Sequence, residues 1–303
     1  MSTREKTVAE SLDTTVEMSH SEENESVRCN LCFRHCQLQP GQTGFCHARI
    51  NRDGQLVAAS YGKLTSLALD PVEKKPLTRW MSGSTVLSLG SFGCNLHCPW
   101  CQNASISQVG EGRVPTRELS PDELVELGVR LHREDSSMVG VAYTYNEPLM
   151  FWEYVLDCAK RVRSAGLKNV LVSAGCVASD VVSAIAPYMD AVNIDLKSIS
   201  EETYQLLGGR LQMVQEAIRI LCAEPNCHVE LTTLIVPGIN DSHDEMRELA
   251  SWIASINPAI PLHVSRFHPA WKMHDCLPTP VSRVYELVDV ARNYLECVVT
   301  GNC

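Results

Sequence analysis

Cys94, Cys98 and Cys101 are spaced C-x3-C-x2-C within Gly93-Cys94-Asn95-Leu96-His97-Cys98-Pro99-Trp100-Cys101-Gln102-Asn103. They follow an apolar stretch, Thr85 to Leu89, that reads as a buried strand ending in Gly90-Ser91-Phe92-Gly93. A compact loop of this kind turns three thiolates toward one point. A cubane iron–sulfur cluster normally takes four thiolates. Three leave one iron open to chelate a ligand and pass it an electron, much as a catalytic zinc keeps one position free. The plainer readings are a zinc site completed by His97, or three buried thiols, although the spacing is a poor zinc pattern.

A second thiol set lies upstream. Cys29, Cys32, Cys36 and Cys46 run C-x2-C-x3-C-x9-C, with His35 and His47 interleaved and Gly41-Gln42-Thr43-Gly44 as a local turn. Such a knuckle would hardly fold without a metal. Thiolates accept both zinc and iron, so this candidate second metal site suits a structural zinc or a second iron–sulfur cluster; reduced thiols in a loop are the bland alternative. The chain has fourteen cysteines, and Met1 to Ser26 lacks the apolar core of a signal peptide. Metal binding and free thiols are therefore favoured over disulfides.

The elements that must position these residues follow a regular alternation. Met1 to Ser26 is polar and reads as a mobile tail. Gln55 to Leu69 reads as short strands leading to Asp70-Pro71-Val72-Glu73-Lys74-Lys75-Pro76-Leu77, whose two lysines either face an anion or form a solvated pair. Ser120-Pro121-Asp122-Glu123 is a strong helix start, with an N-cap, a proline at the first position and a Glu at the third. Strands are predicted at 139–144, 169–173, 191–194, 228–236 and 262–265, and helices at 149–163, 178–186, 211–223, 244–256 and 281–294; 297–299 is a further short strand. Repeated β-then-α units imply right-handed crossovers and a parallel sheet, hence a barrel, complete or partial. With 303 residues, of which 45% are hydrophobic, the chain can bury one sizeable core. The division expected is a tail over 1–27, a cysteine-rich N-terminal segment over 28–84 and a barrel over 85–303.

The cysteine loop resembles that of the radical S-adenosylmethionine (radical SAM) enzymes. Asp70 to Leu77 before it and Tyr143-Thr144-Tyr145-Asn146-Glu147-Pro148 after it are similar to the AmmeMemoRadiSam-system subfamily, which is related to the pyruvate formate-lyase activating enzymes. The resemblance covers about residues 28 to 301. It implies a partial (β/α)6 barrel with a small cysteine-rich appendage, a [4Fe–4S] cluster on Cys94, Cys98 and Cys101, and SAM chelated at the open iron. It also implies SAM contacts at the strand ends, where barrel chemistry lies. Asn146 and Glu147 stand where the family's Gly-Gly-Glu-Pro meets the SAM amino group, Ser173 opens Ser173-Ala174-Gly175, and Asp195 and Lys197 form the activases' Asp-x-Lys. Val236 to Asp241 matches a turn near the adenine, and His268, near His263, takes the place of a histidine by the ribose. Plainer roles exist for each: a helix N-terminal carboxylate for Glu147, a salt-bridged pair for Asp195 and Lys197, a structural histidine for His268. Activases with extra ferredoxin-like clusters carry those cysteines after the radical loop, unlike the set here. Cys303 is a free thiol or a ligand elsewhere.

Lys plus Arg is 26 against 36 Asp plus Glu, a net charge of −10, with no basic run. Such a surface repels phosphate backbones and anionic membranes, and there is no apolar run of membrane-spanning length. The expectation is a cytoplasmic enzyme with neither nucleic acid nor membrane as partner. It would take electrons from flavodoxin or ferredoxin, cleave SAM reductively and act on a small molecule or a protein. Activation of a glycyl-radical enzyme, transfer of the aminocarboxypropyl arm of SAM, and a non-catalytic iron–sulfur or zinc protein remain open.

Overall fold

The computed structural model describes residues 25–303. Most of the tail expected over 1–27 lies outside the described residues; Ser26 and Val27 are already buried, so order begins before residue 28. Hairpin β1 (Val27–Arg28) and β2 (Gln37–Leu38) is followed by hairpin β3 (Arg49–Arg52) and β4 (Gln55–Ala58) and by the short strand β5 (Lys63–Leu64).

The main sheet follows, with β6 (Ser66–Pro71), β7 (Thr85–Gly90), then α1 (Ala104–Ser107), β8 (Arg117–Glu118, paired with β5), α2 (Pro121–Glu134), β9 (Met138–Tyr143), α3 (Trp152–Ser164), β10 (Lys168–Ser173), α4 (Ser179–Ile185) and β11 (Ala191–Asp195). It ends with α5 (Glu201–Leu206), α6 (Leu211–Ala223), β12 (His228–Ile235), α7 (His243–Ile256), β13 (Leu262–Arg266), α8 (Val281–Ala291) and β14 (Val298–Gly301). The strand order is β14-β13-β12-β11-β10-β9-β7-β6, parallel throughout except for β6, which runs antiparallel on β7. The six strand–helix units start at β7, β9, β10, β11, β12 and β13. The sheet is open: among the described residues its edges, β6 and β14, do not pair with each other. The expected (β/α)6 form is therefore present as an open parallel sheet with a seventh parallel strand, β14. Strand β6, inside the segment expected over 28–84, is hydrogen-bonded into this sheet from Ser66 onward.

Local chemistry explains the elements. The Ser120 side chain accepts from the Glu123 N–H and the Glu123 carboxylate accepts from the Ser120 N–H at 2.8 Å, the reciprocal cap that the sequence announces for α2. Helix α3 begins at Trp152 rather than Leu149, because Pro148 opens a short tight turn first. Strands β7 and β9 are almost wholly buried, as sheets covered on both faces must be. A small inner core gathers Val86, Ala142, Val170 and Ala191 around Val72 and Leu77. The segment carrying Val72 and Leu77 crosses the lower end of the sheet. There the Pro76 carbonyl accepts from Asn193, and the N–H groups of Thr78 and Arg79 donate to Glu230. No described helix is long and apolar enough to cross a membrane.

Candidate active site

The cysteine loop starts at the carboxyl end of β7 and is tied down on several sides. The Asn146 amide accepts from the Ser91 N–H at 2.9 Å and donates to the Gly93 carbonyl at 2.9 Å. Gly93 has φ +89°, and a Cβ there would lie 2.4 Å from the Cys46 carbonyl oxygen, so only glycine fits. The Cys94 N–H donates to that carbonyl at 3.0 Å, Asn95 donates to the Cys176 carbonyl at 2.6 Å, and the His97 N–H donates to the Leu207 carbonyl at 2.8 Å. The loop is thus held by the N-terminal segment, by β9's end and by the loops after β10 and α5.

All three thiols are free; Cys98 is buried, Cys94 and Cys101 partly so. Burial pushes the Cys98 thiol up to about 11 even though the field of Lys197 pulls it down, and burial with the nearby Glu147 carboxylate raises Cys94 well above its ordinary value. Deprotonated sulfurs here therefore need a compensating positive centre. Among the described residues no group of three or more His, Cys, Asp and Glu side chains is gathered closely enough to hold a single metal ion. Thiolates on a cluster bind different irons and stand further apart than ligands of one ion. The donor set fits a cluster, whereas zinc completed by His97 has no geometry to support it. The His97 ring instead packs edge-on against Phe45, centroids 4.5 Å apart.

The other expected site residues occupy the ends of the next strands. Glu147, after β9, is 2% exposed and accepts from the Ser173 hydroxyl at 2.7 Å, the Ala174 N–H at 2.8 Å and the Leu149 N–H at 3.1 Å. Burial raises its pKa despite these donors. Asp195, at the end of β11, pairs with Lys197 at 2.9 Å. Burial would lower the Lys197 pKa, but Asp195 and the Cys98 sulfur outweigh it and raise it. The structure therefore brings the cysteine loop, Glu147, Ser173, Asp195 and Lys197 together at one end of the sheet.

Three residues stand differently. Both ends of the Asn146 amide are spent on the cysteine loop, so it positions the loop. His268 is exposed, its Nε2 3.4 Å from the Asn302 carbonyl. His263 lies near the start of β13, not its end, and its Nε2 contacts the buried Glu230 at 2.5 Å. In the Val236–Asp241 turn, the Asn240 amide donates to the Lys197 carbonyl at 2.8 Å and supports the Asp195–Lys197 strand end.

Sequence reasoning missed a network behind the site. Asp70 accepts from the Tyr145 hydroxyl at 2.6 Å and from buried Lys75 at 2.9 Å, and Lys75 Nζ lies 4.7 Å from the Tyr145 ring centre. Burial would raise the Asp70 pKa, but Tyr145 and Lys75 hold it well below the usual carboxylate range. Lys75 is thus already paired, and Lys74 is mostly exposed beside Asp70. The Asp70–Leu77 run was the available signal; its link to Tyr145 spans 75 residues.

Fold and donor set together define a class, an open α/β barrel with three free thiols at the carboxyl end of its first parallel strand. Residues 89–252 match the Radical SAM superfamily, and the chain belongs to that family, whose cofactors are a [4Fe–4S] cluster and SAM. An uncharacterized protein of Methanocaldococcus jannaschii is 37% identical over 92% of this chain and 82% of its own length. The pyruvate formate-lyase-activating enzyme of Clostridium pasteurianum is 24% identical over 58% of this chain and 72% of its own. Among solved structures, a radical SAM methyltransferase from Sphaerobacter thermophilus overlays with TM-score 0.56 at 15% identity, covering 94% of this chain and 75% of that one. Streptococcus suis SuiB bound to S-adenosylmethionine gives 0.53 at 12% identity, covering 72% of this chain and 52% of that one. These two likenesses show the fold.

Proposed function

We propose that the chain is a radical SAM enzyme of the AmmeMemoRadiSam type, in which Cys94, Cys98 and Cys101 hold the cluster and Glu147, Ser173, Asp195, Lys197 and His268 surround SAM. The observation that carries this is the convergence of a free three-thiol loop, a buried carboxylate and an Asp–Lys pair at the carboxyl ends of β7, β9, β10 and β11. Bound there, the cluster and SAM would supply one-electron reductive cleavage of SAM and hydrogen abstraction from a substrate, the electron coming from an external reductant.

The chain's own residues bind and orient. Glu147 offers a buried carboxylate to the SAM ammonium, and its hydrogen bonds to Ser173 and Ala174 fix its position. Lys197 places a positive charge beside Cys98 and stabilises its thiolate. Asn146 holds Ser91 and Gly93, and so the loop, in register with β9. A cytoplasmic setting suits the many free thiols, and flavodoxin or ferredoxin is the fitting electron donor. The relatives named as activating enzymes support a protein substrate; a small molecule is the other class.

The test is anaerobic reconstitution with iron and sulfide, followed by dithionite and SAM, with products identified by mass spectrometry in wild type and Cys98→Ala. The proposal requires 5′-deoxyadenosine from wild type and none from the variant. Methylthioadenosine would instead establish aminocarboxypropyl transfer, and intact SAM beside a reduced cluster would refute the enzyme reading.

A further inference from the structure

The N-terminal segment carries chemistry that the radical site does not use. Cys29, Cys32, Cys36 and Cys46 are all free, and all but Cys36 are buried. The turn between β1 and β2 brings the first three together, with the Cys29 N–H donating to the Cys36 carbonyl at 2.9 Å, and Cys46 arrives just before β3. Each sulfur lies within electrostatic range of others in the set: Cys29 with Cys36, Cys32 with Cys29 and Cys36, and Cys46 with Cys29 and Cys32.

Backbone donors face these sulfurs in a repeating pattern. The N–H groups of Leu31, Arg34 and Ala48 address the sulfurs of Cys29, Cys32 and Cys46, each from two residues further on. The radical loop repeats the pattern, with the Leu96 N–H 3.4 Å from the Cys94 sulfur. A neutral thiol is a weak acceptor, whereas a thiolate bound to metal keeps negative charge that such donors stabilise. His35 and His47, each next to a cysteine, hold φ of +44° and +61°. Left-handed backbone at a non-glycine residue costs about 1 kcal/mol or more and persists where surroundings enforce it.

Geometry separates the candidate metals. A structural zinc draws four sulfurs to about 2.3 Å from one point, and among the described residues no such gathering exists. The radical loop, which belongs to a cluster-binding family, likewise shows no such gathering. We propose that Cys29, Cys32, Cys36 and Cys46 hold a second iron–sulfur cluster, docked directly against the radical loop. The docking is specific. The Cys46 carbonyl accepts the Cys94 N–H at 3.0 Å, Phe45 packs on His97, and Arg34 lies 3.3 Å from the Phe45 ring centre while donating to the Gly208 carbonyl at 2.8 Å. One hydrogen bond thus separates a ligand of the second cluster from a ligand of the first.

The test is metal content and spectroscopy, and it stands apart from SAM cleavage. Wild type, a Cys94→Ala/Cys98→Ala/Cys101→Ala variant and a Cys29→Ser/Cys32→Ser variant are reconstituted anaerobically, and iron, acid-labile sulfide and zinc are counted per chain. The radical-loop variant retains about two or four irons with matching sulfide, and its reduced electron paramagnetic resonance signal does not respond to SAM. Wild type holds that amount in addition to the SAM-responsive cluster. The Cys29/Cys32 variant loses the SAM-insensitive signal. Because that loss would also follow from misfolding, the retained iron of the radical-loop variant is the deciding reading. Absence of iron from it, or about one zinc per chain without sulfide, would overturn the proposal and leave the radical-site reading intact.

Discussion

Replacing Glu147 with glutamine removes one negative charge and keeps the shape. In the folded chain Oε1 accepts from the Ser173 hydroxyl and the Leu149 N–H, and Oε2 accepts from the Ala174 N–H. The glutamine oxygen can keep the first two bonds, but its NH2 group then meets the Ala174 N–H donor to donor, costing about 1–3 kcal/mol. An opposite effect comes from the charge. Burial raises the Glu147 pKa, and a raised carboxylate contributes its stability below its unfolded pKa of about 4.3, then loses it as pH rises through the folded value. At neutral pH the carboxylate therefore weakens the SAM-free fold, and glutamine relieves that cost. The two effects partly cancel in Tm, and the Tm difference, variant minus wild type, grows as pH rises from about 4.3. Binding has no such cancellation. A hydrogen bond to a charged group contributes about 1.5–3 kcal/mol, so the variant binds SAM about 10- to 150-fold more weakly. Equilibrium binding of SAM to the reconstituted protein measures the affinity claim and thermal unfolding against pH the stability claim. Unchanged SAM affinity would refute the assignment of Glu147 to the ammonium, and a pH-independent Tm difference would refute the burial argument.

Glu230 tests the opposite end of the barrel. It accepts from Thr78, Arg79, His228 and His263, and Glu230→Ala should cost about 3–5 kcal/mol in chemical unfolding. Burial would raise its pKa, but the bonds from His228 and His263 hold it far below the usual carboxylate range. Its stabilisation is therefore present above pH about 4.3 and falls away as acid protonates it, so wild type should lose stability below that pH more steeply than Glu230→Gln. Gly93→Ala places a Cβ 2.4 Å from the Cys46 carbonyl at φ +89°; iron incorporation at the radical loop should drop together with a destabilisation of about 1–3 kcal/mol, and normal loading would disprove the close approach. Tyr145→Phe deletes the hydroxyl bonded to Asp70 at 2.6 Å and should cost about 1–2 kcal/mol in denaturant unfolding, whereas a neutral result would mean that Lys75 alone satisfies Asp70.

Legibility followed sequence distance. The cysteine loop, the cap at Ser120 and the strand–helix alternation all rest on residues within one or two turns of each other, and the pattern shows them directly. Glu147, Ser173 and Lys197 were expected at strand ends and lie there, but the Glu147–Ser173 contact spans 26 residues and shows in no local pattern. The pairing of His263 with the buried Glu230, 33 residues away, shows in no local pattern and only the fold reveals it. Strand β6 was read as part of the appendage for a related reason. Its burial alternates weakly, and its place in the main sheet depends on antiparallel pairing with β7.

The same distance rule explains why the appendage and the radical loop looked independent in sequence. Nothing local in Phe45-Cys46-His47 or Gly93-Cys94 announces that one chain segment donates to the other, yet a glycine forced by a carbonyl 2.4 Å from its missing Cβ shows that the two were shaped together. Glu230 and the 72–79 segment close the lower end of the barrel, while Asn146, Gly93 and Cys46 fix the loop at the upper end. The Cys94 N–H to Cys46 carbonyl contact and the Phe45–His97 packing tie the N-terminal knuckle to the radical loop, so a cluster held there, as proposed, would act on Cys94 through them.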